Sequence, residues 1–284
     1  MNRTSPPRIS AAAAAAVATA VLAAGCGSQD SSGPAGDEDR RAGDGAAQLY
    51  RVRATVLANG EHGPQLCRTI ATSMPPTCGG PDVVGWRWDD VRAHRQSGTT
   101  YTDPLVLVGT WDGERFTPVE KPRPADTSAP PDAPGDGAAD RATPCEELKD
   151  GGGDPGGAGG RARQRVLDRA QQMPGYAGAW LDGDVVNLRF AGDGGGPDAA
   201  ERELRALWDG PLCVVGAEHT EDELSRVQEQ VDRDVDGMLS SAVDPVRNAV
   251  AVEVVAATPE LRRELDRRFG EGTVLLSGWL RPVA

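Results

Sequence analysis

Alternating apolar and polar residues mark the first folded part of the chain, residues 48–120. In YRVRATVLA the apolar positions alternate with arginine and threonine, as in a half-buried strand; they are Tyr50, Val52, Ala54 and Val56. VVGWRW places Val84, Trp86 and Trp88 on one predicted face, and LVLVGTW, Asp112-Gly113 and ERFTPV predict a β-hairpin with a two-residue turn. Four or five such strands predict a small β barrel or sandwich.

Helical periodicity begins at about residue 161, where RARQRVLDRAQQM carries one apolar stripe. Capping residues predict three further helix starts: Asp198 with Glu201, Thr220 with Glu223, and Thr258 before Pro259. Short apolar strands lie between these helices, and Gly183-Asp184 predicts a tight turn between two of them. This succession of helices and short strands is typical of an α+β fold.

One unit of strand, turn, strand, helix and strand occurs twice. AGAWLD…VVNLRF…ERELRALW…PLCVV aligns with SSAVD…AVAVEVV…LRRELDRRF…TVLLSG. The repeat predicts that residues 161–284 form a duplicated α+β domain with two similar lobes, bridged by the helix near 220–236. The expected fold class is therefore α+β, with a small disulfide-containing β barrel or sandwich followed by the duplicated domain.

Segments rich in glycine and proline separate these parts. The chain has 36 Gly and 22 Pro, and many of them cluster where little apolar surface is available for burial. Residues 26–47 are predicted to be a flexible tether, and residues 121–160 a linker. The formal net charge is −13, which repels phosphate backbones, so we expect no nucleic-acid partner.

Residues 1–25 have the features of an export signal. Arg3 and Arg8 precede an apolar run that ends at Ala24 and is shorter than the about 20 residues of a membrane-spanning helix. Leu22-Ala23-Ala24-Gly25-Cys26 resembles the lipobox of bacterial lipoproteins, although leucine usually occupies the position of Ala23. The resemblance implies that Cys26 carries diacylglyceryl and becomes the N-terminus. The alternative is ordinary secretion, with Cys26 in a disulfide.

This resemblance also implies a location and a partner. A lipid on Cys26 would hold the chain at the cell membrane, on its extracytoplasmic face, with acyl groups such as palmitate in the bilayer. The order of lipobox, tether, LYRVRATV…GPQLC…PPTCGGPDVVGW and α+β tail resembles uncharacterised lipoproteins of actinobacteria. That family implies no activity.

The other four cysteines are Cys67, Cys78, Cys145 and Cys213. An exported chain reaches an oxidising compartment, so an even number of remaining thiols predicts two disulfides, with three pairings open. We favour Cys67–Cys78, which closes a short loop, and Cys145–Cys213, which ties the linker to the second domain. A zinc site is the alternative, but the sequence has no CxxC pair and no histidine cluster.

DRDVDGMLSSAVD contains the best metal candidate. Asp232, Asp234 and Asp236 with the following glycine match the first part of a calcium loop, but Val243 occupies the place of the bidentate carboxylate. The alternative is a helix end with solvated aspartates. We expect no other metal and no cofactor.

Catalytic motifs are missing from the sequence. The histidines are His62, His94 and His219, no G-x-S-x-G motif occurs, and the carboxylates of the β-rich part lie near turns (Asp89, Asp90, Asp103 and Asp112). We therefore expect a protein that is not an enzyme. Three tryptophans, Trp86, Trp88 and Trp111, either line a ligand groove or fill the core of a barrel.

VDPVRNAVAVEV, with Asp244, Asn248, Val250 and Val252, is similar to a strand–turn–strand of α-lytic-protease-type propeptides. The similarity implies small α+β lobes and a role as folding chaperone or inhibitor. No protease domain follows residue 284, so we expect such a role to act in trans. The leading prediction is a lipid-anchored envelope protein that binds an unknown protein or small molecule; the alternative is a trans-acting inhibitor or chaperone of a secreted serine protease.

Overall fold

The computed structural model describes residues 47–71, 73–126, 141–148, 158–192 and 196–283. The predicted signal peptide, Cys26 and the tether up to residue 46 lie outside these residues, as do parts of the predicted linker. All described residues belong to one compact unit, residues 45–284. Its fold is mixed α+β with more sheet than helix, which confirms the predicted class.

Fourteen strands and four α-helices lie within the described residues. The strands are β1 Leu49–Ala58, β2 Gln65–Cys67, β3 Asp82–Val83, β4 Ala93–Gln96, β5 Thr99–Thr102, β6 Leu105–Trp111, β7 Arg115–Pro118, β8 Arg123–Pro124, β9 Tyr176–Asp182, β10 Val185–Ala191, β11 Leu212–Ala217, β12 Met238–Asp244, β13 Ala249–Ala256 and β14 Val274–Pro282. The helices are α1 Ala158–Ala170, α2 Gly196–Arg205, α3 Glu221–Asp234 and α4 Pro259–Phe269. No helix in this part of the chain has the length and apolar character needed to cross a membrane.

The β-rich region (residues 47–126) is organised around β1. This strand pairs antiparallel with β2, β5 and β6, and the pairings β1–β2–β3–β7–β6 return to β1. The four apolar positions predicted to face inward from β1 are all buried. They pack with Leu107 and Phe116, because alternate side chains of a strand point to the same face.

Two local predictions in the β-rich region are wrong, and the first concerns the strand predicted at Val84. Val84 does not continue a strand with Trp86 and Trp88; β3 ends at Val83, Val84 is exposed, and the chain turns at Gly85, whose φ is +71°. A positive φ of this kind favours glycine and ends the strand alternation.

The turn between β6 and β7 is shifted by one residue from the prediction. Its central residues are Gly113 and Glu114, since the backbone N–H of Asp112 donates to the carbonyl of Arg115. The Asp112 carboxylate accepts hydrogen bonds from the backbone N–H groups of Arg115 and Glu114, which hold its pKa below the ordinary value.

Lobe 1 comprises α1, β9, β10, α2 and β11. β9 pairs antiparallel with β10 across the predicted turn at Gly183-Asp184, and β10 pairs parallel with β11 to complete a three-stranded sheet. Helices α1 and α2 cover one face, where Val166 and Leu204 pack against Leu188. Helix α2 begins at Gly196, so Asp198 lies in its first turn and is not the predicted cap.

Lobe 2 comprises α3, β12, β13, α4 and β14. β12 pairs antiparallel with β13, and β13 pairs parallel with β14. β14 also pairs antiparallel with β1, where Arg281 lies opposite Arg51, so one eleven-stranded sheet runs through lobe 2 and the β-rich region. The predicted caps are confirmed at both helices: Thr220 forms a capping box before α3, and Thr258 caps α4.

Both disulfides have the favoured pairing. Cys67–Cys78 closes a loop within the β-rich region, and Cys145–Cys213 joins a segment that precedes lobe 1 to strand β11. We call residues 141–148 the strap and residues 67–81 the disulfide loop.

Candidate functional site

A cleft of about 590 Å³ lies between the β-rich region and lobe 2. Its walls come from the disulfide loop, the turn between β6 and β7, and residues 237–239 at the start of β12. Strands β13 and β14 contribute Val255 and Trp279. The volume is within the roughly 300–1,000 Å³ of small-molecule sites in proteins.

The apolar lining of the cleft is built by strand alternation. In β14 the side chains of Leu276 and Leu280 are buried, and Trp279 belongs to the other set of alternating positions, where it is only partly buried. The indole of Trp279 and that of Trp111, at the end of β6, both line the cleft. The further apolar side chains of the lining are Leu66, Met238, Leu239 and Val255.

An ion pair holds the disulfide loop against lobe 2. Nη1 of Arg68 donates to Oε2 of Glu253 on β13 at 2.5 Å. The side chain of Glu253 is 5% exposed and that of Arg68 is 44% exposed, so the carboxylate is buried and the guanidinium faces the cleft. Because a buried carboxylate is costly without a partner, this pair fixes the relative position of the two walls.

The disulfide loop is tightly packed against β2. A Cβ atom on Gly80 would lie 1.7 Å from the carbonyl oxygen of Leu66, so only glycine fits at this position. The backbone N–H of Leu66 donates to the carbonyl of Pro81, and Nε2 of Gln65 donates to the carbonyl of Gly80. With the Cys67–Cys78 disulfide, these contacts make a wall that has little freedom to collapse into the cleft.

One carboxylate at the mouth of the cleft has no cationic partner among the described residues. Glu114 lies in the turn after Trp111 and is exposed. Its neighbour Arg115 pairs instead with Asp112, at 3.1 Å. The unbalanced charge at this site is therefore negative, since Arg68 is neutralised by Glu253.

Of the three tryptophans that the sequence analysis selected, one lines the cleft. Trp86 and Trp88 pack edge to face, with ring centroids 5.8 Å apart, against the core of the β-rich region. Trp111 lines the cleft together with Trp279, which was not among the predicted residues, and both side chains are also packed, partly buried, against the same core. The sequence signal that could have identified Trp279 was the strand alternation in TVLLSGWL, which places Trp279 on the opposite face from its neighbours Gly278 and Leu280.

The histidines lie outside the cleft lining and in separate places. Nε2 of His94 on β4 lies 2.9 Å from Oδ1 of Asp103, which follows β5, and this contact is exposed. Nε2 of His219 lies 3.4 Å from Oγ1 of Thr273, and His219 directly precedes Thr220, the N-cap of α3. His62 is exposed, and its backbone N–H donates to Oδ1 of Asn59 in a turn.

The aspartates of the calcium hypothesis do not converge. Asp234 forms an ion pair with Arg268 of α4, and Oδ1 of Asp232 accepts a hydrogen bond from Oγ of Ser241 at 2.6 Å. Asp236 lies beyond the end of α3 and is exposed. In the part of the chain that the structure describes, no group of three or more His, Cys, Asp or Glu side chains is arranged to hold a metal ion.

A second contact between distant segments serves to position the lobes. Arg189 of β10 donates to the carbonyls of Pro245 and Val246 in the turn before β13, at 2.9 and 2.7 Å, and its guanidinium lies over the ring of Trp180. Burial lowers the pKa of Arg189, and the nearby Asp244 carboxylate partly opposes this effect. The guanidinium N–H groups donate to backbone carbonyls, which is typical of a structural contact.

No protein-family model and no curated protein matches the chain. The cleft and the sequence features near the N-terminus are therefore the two observations that bear on function.

Proposed function

We propose that this chain is a lipid-anchored protein of the cell envelope whose folded part binds an apolar ligand in the cleft. The observation that carries the binding role is the cleft itself, with Trp111 and Trp279 in a lining that is mainly apolar. Apolar walls with a few polar groups are typical of small-molecule sites. The proposal includes no catalytic step and no cofactor.

The lipid anchor is supported by the lipobox resemblance around Cys26 and by the polar segment that follows it. Cells that express the chain can be labelled with radioactive palmitate. The Cys26→Ser variant should lose the label completely, because the thiol that receives the lipid is missing, while Ser28→Ala should keep it. Continued labelling of Cys26→Ser would overturn this part of the proposal.

The binding role is tested with the neutral fluorescent probe N-phenyl-1-naphthylamine and the folded protein. Leu239 is 38% exposed at the edge of the cleft, so Leu239→Glu should leave the fold intact and weaken probe binding about tenfold by placing a charge in an apolar site. Leu207→Glu is the matched control, since Leu207 is 42% exposed in lobe 1 and outside the cleft lining. Equal affinities for the two variants would overturn the cleft as the binding site.

We also propose that the two lobes arose by internal duplication and that the ring of β1, β2, β3, β7 and β6 is a small barrel. The support is the shared order of helix, strand, strand, helix and strand, with the same antiparallel and parallel pairings in each lobe. A crystal structure tests both: the lobes should superpose element by element, and the ring should close. Lobes that cannot be superposed would contradict the duplication.

A trans-acting inhibitor or chaperone of a secreted serine protease is the second hypothesis. One observation favours it: among the described residues β12 is the terminal strand of its sheet and has no strand partner on its outer side, and such an edge is where an extended chain could add. β12 also belongs to the hairpin that is similar to the propeptide lobes. Purified protein should then inhibit a secreted serine protease or raise its refolding yield, and no change in either quantity would exclude the hypothesis for the proteases tested.

A further inference from the structure

We infer that the cleft selects an organic cation with an apolar body, such as a quaternary or alkyl ammonium compound. This inference rests on the proposed binding role and adds the charge of the ligand. Its basis is the juxtaposition of two indole rings, Trp111 and Trp279, with the Glu114 carboxylate at the cleft mouth.

The charges around the cleft do not cancel. Arg68 is the cation of the lining, and its charge is matched by the buried carboxylate of Glu253. Glu114 has no such partner among the described residues. A bound anion would meet this carboxylate uncompensated, whereas a bound cation would balance it, so electrostatics favour the cation.

The aromatic lining favours the same ligand class. Indole rings carry negative charge on their faces and are the strongest side-chain partners for organic cations, which they bind without a hydrogen-bond donor on the ligand. Trp111 is placed by β6 and Trp279 by β14, so two walls of the cleft each contribute one indole. Quaternary ammonium groups lose less hydration on burial than compact ions do, and the remaining apolar lining is suited to their alkyl or aryl substituents.

The net charge of the whole chain also favours a cationic ligand. Its formal net charge is −13, which attracts cations and repels anions at long range. The attraction between Glu114 and a cationic ligand takes place at an exposed site, so added salt should weaken it.

The experiment compares three probes on the folded protein by calorimetry: benzyltrimethylammonium, its neutral isostere neopentylbenzene, and the anion 4-phenylbutyrate. We expect the cation to bind at least threefold more tightly than the isostere and the anion to bind most weakly. Binding of the isostere as tight as that of the cation, or preference for the anion, would overturn the inference but leave the proposed function standing. If none of the three probes binds and N-phenyl-1-naphthylamine also fails to bind, the proposed function fails instead.

Single-residue variants test which side chains cause the preference for a cation. Glu114→Gln should weaken binding of the cation roughly threefold to fivefold, as expected for one exposed charge pair, and leave the isostere unchanged. Trp279→Leu keeps an apolar side chain but removes the ring face, so cation binding should fall more than isostere binding. Glu120→Gln is the control, because Glu120 is an exposed carboxylate outside the cleft lining. An equal effect of Glu114→Gln and Glu120→Gln would contradict a local role of Glu114.

Discussion

Lobes 1 and 2 have the same order of elements, but the sheet faces that their helices leave uncovered have different surroundings. In lobe 1 the strap lies over this face: Cys145 is bonded to Cys213, the indole N–H of Trp180 donates to the carbonyl of Arg141, and the backbone N–H of Thr143 donates to Asp182. In lobe 2 the corresponding face carries Glu253, Val255 and Trp279, faces the β-rich region, and forms part of the cleft.

Each lobe also buries one polar side chain in its central strand. Asn187 of β10 is fully buried, and Glu253 of β13 is 4% exposed. Asn187 is the neighbour of Cys213 in the sheet, under the strap, whereas Glu253 reaches across to Arg68 of the disulfide loop. Topology alone therefore does not place the cleft, which depends on what packs on the second face of each sheet. Three predictions test this contrast, and a fourth compares the two helices of lobe 2.

The largest effect is expected when the strap is released. Cys145→Ser with Cys213→Ser removes a disulfide between residues 68 apart in sequence, and the loop-closure entropy predicts a loss of about 4 kcal/mol in the free energy of unfolding. Urea titration followed by far-UV circular dichroism measures it. The matched variant without Cys67–Cys78, a separation of 11 residues, should lose about 3 kcal/mol.

Probe binding distinguishes the two disulfide variants. Release of the strap should leave the affinity of the cleft unchanged, because the strap residues are not part of its lining, while loss of Cys67–Cys78 should weaken binding. Loss of cleft binding in a folded protein without Cys145–Cys213 would show that the faces of the two lobes are coupled.

Leu280 tests the attachment of lobe 2 to the β-rich region. This side chain belongs to β14 but is fully buried in the core cluster of the β-rich region. Leu280→Ala should therefore destabilise both together, by about 3 kcal/mol, through lost burial and a cavity. Far-UV circular dichroism and tryptophan fluorescence should report one coincident urea transition.

The control for Leu280 is Leu239→Ala. Leu239 is 38% exposed, so its truncation should change the free energy of unfolding by less than about 0.5 kcal/mol. Two separate transitions in the parent protein would contradict the view that lobe 2 and the β-rich region form one cooperative sheet.

The Arg68–Glu253 pair is expected to respond unequally to the loss of either partner. Arg68→Gln leaves a carboxylate unpaired whose side chain is 5% exposed, which should cost about 2 kcal/mol of unfolding free energy. Glu253→Gln leaves a guanidinium that is 44% exposed and remains hydrated, so it should cost about 1 kcal/mol. Chemical denaturation of both variants and of the double variant measures the difference. A larger loss for Glu253→Gln would mean that the arginine is the buried member of the pair.

Local signals in the sequence predicted the local features well. The alternation along β1, the caps at Thr220 and Thr258 and the two disulfides each depend on residues close in sequence or on a count of cysteines. The extended strand from Val84 was wrong because Gly85 turns the chain, a conformation that the apolar pattern does not encode.

The cleft could not be predicted from local sequence patterns, because its walls are distant in sequence. Its walls meet only because β14 pairs with β1, and the residues of that pairing are more than 200 positions apart in sequence. The contribution of Trp279 depends on this pairing, and so does the contact of Arg68 with Glu253. Alternation in TVLLSGWL places Trp279 on a face, but nothing near it in sequence specifies what that face meets.

The smallest effect concerns the two helices of lobe 2, which are capped differently. Oγ1 of Thr220 accepts from the backbone N–H of Glu223, and the Glu223 carboxylate accepts from the backbone N–H of Thr220; Thr258 caps α4 without a returning carboxylate. Thr220→Ala and Thr258→Ala should each lower the free energy of unfolding by about 1 kcal/mol.

The two caps should differ in their pH dependence. The hydrogen bond from the backbone N–H of Thr220 lowers the pKa of Glu223 from 4.5, so the charged form is favoured in the folded protein. Its contribution is present above the unfolded pKa and is lost as the pH falls through the lower, folded pKa. The stability difference between the parent and Glu223→Ala, measured by thermal unfolding from neutral to acid pH, should therefore shrink at acid pH, while the effect of Thr258→Ala stays constant. A difference for Glu223→Ala that does not change with pH would mean that the carboxylate contributes no charge-dependent cap, and that the two helices begin in the same way.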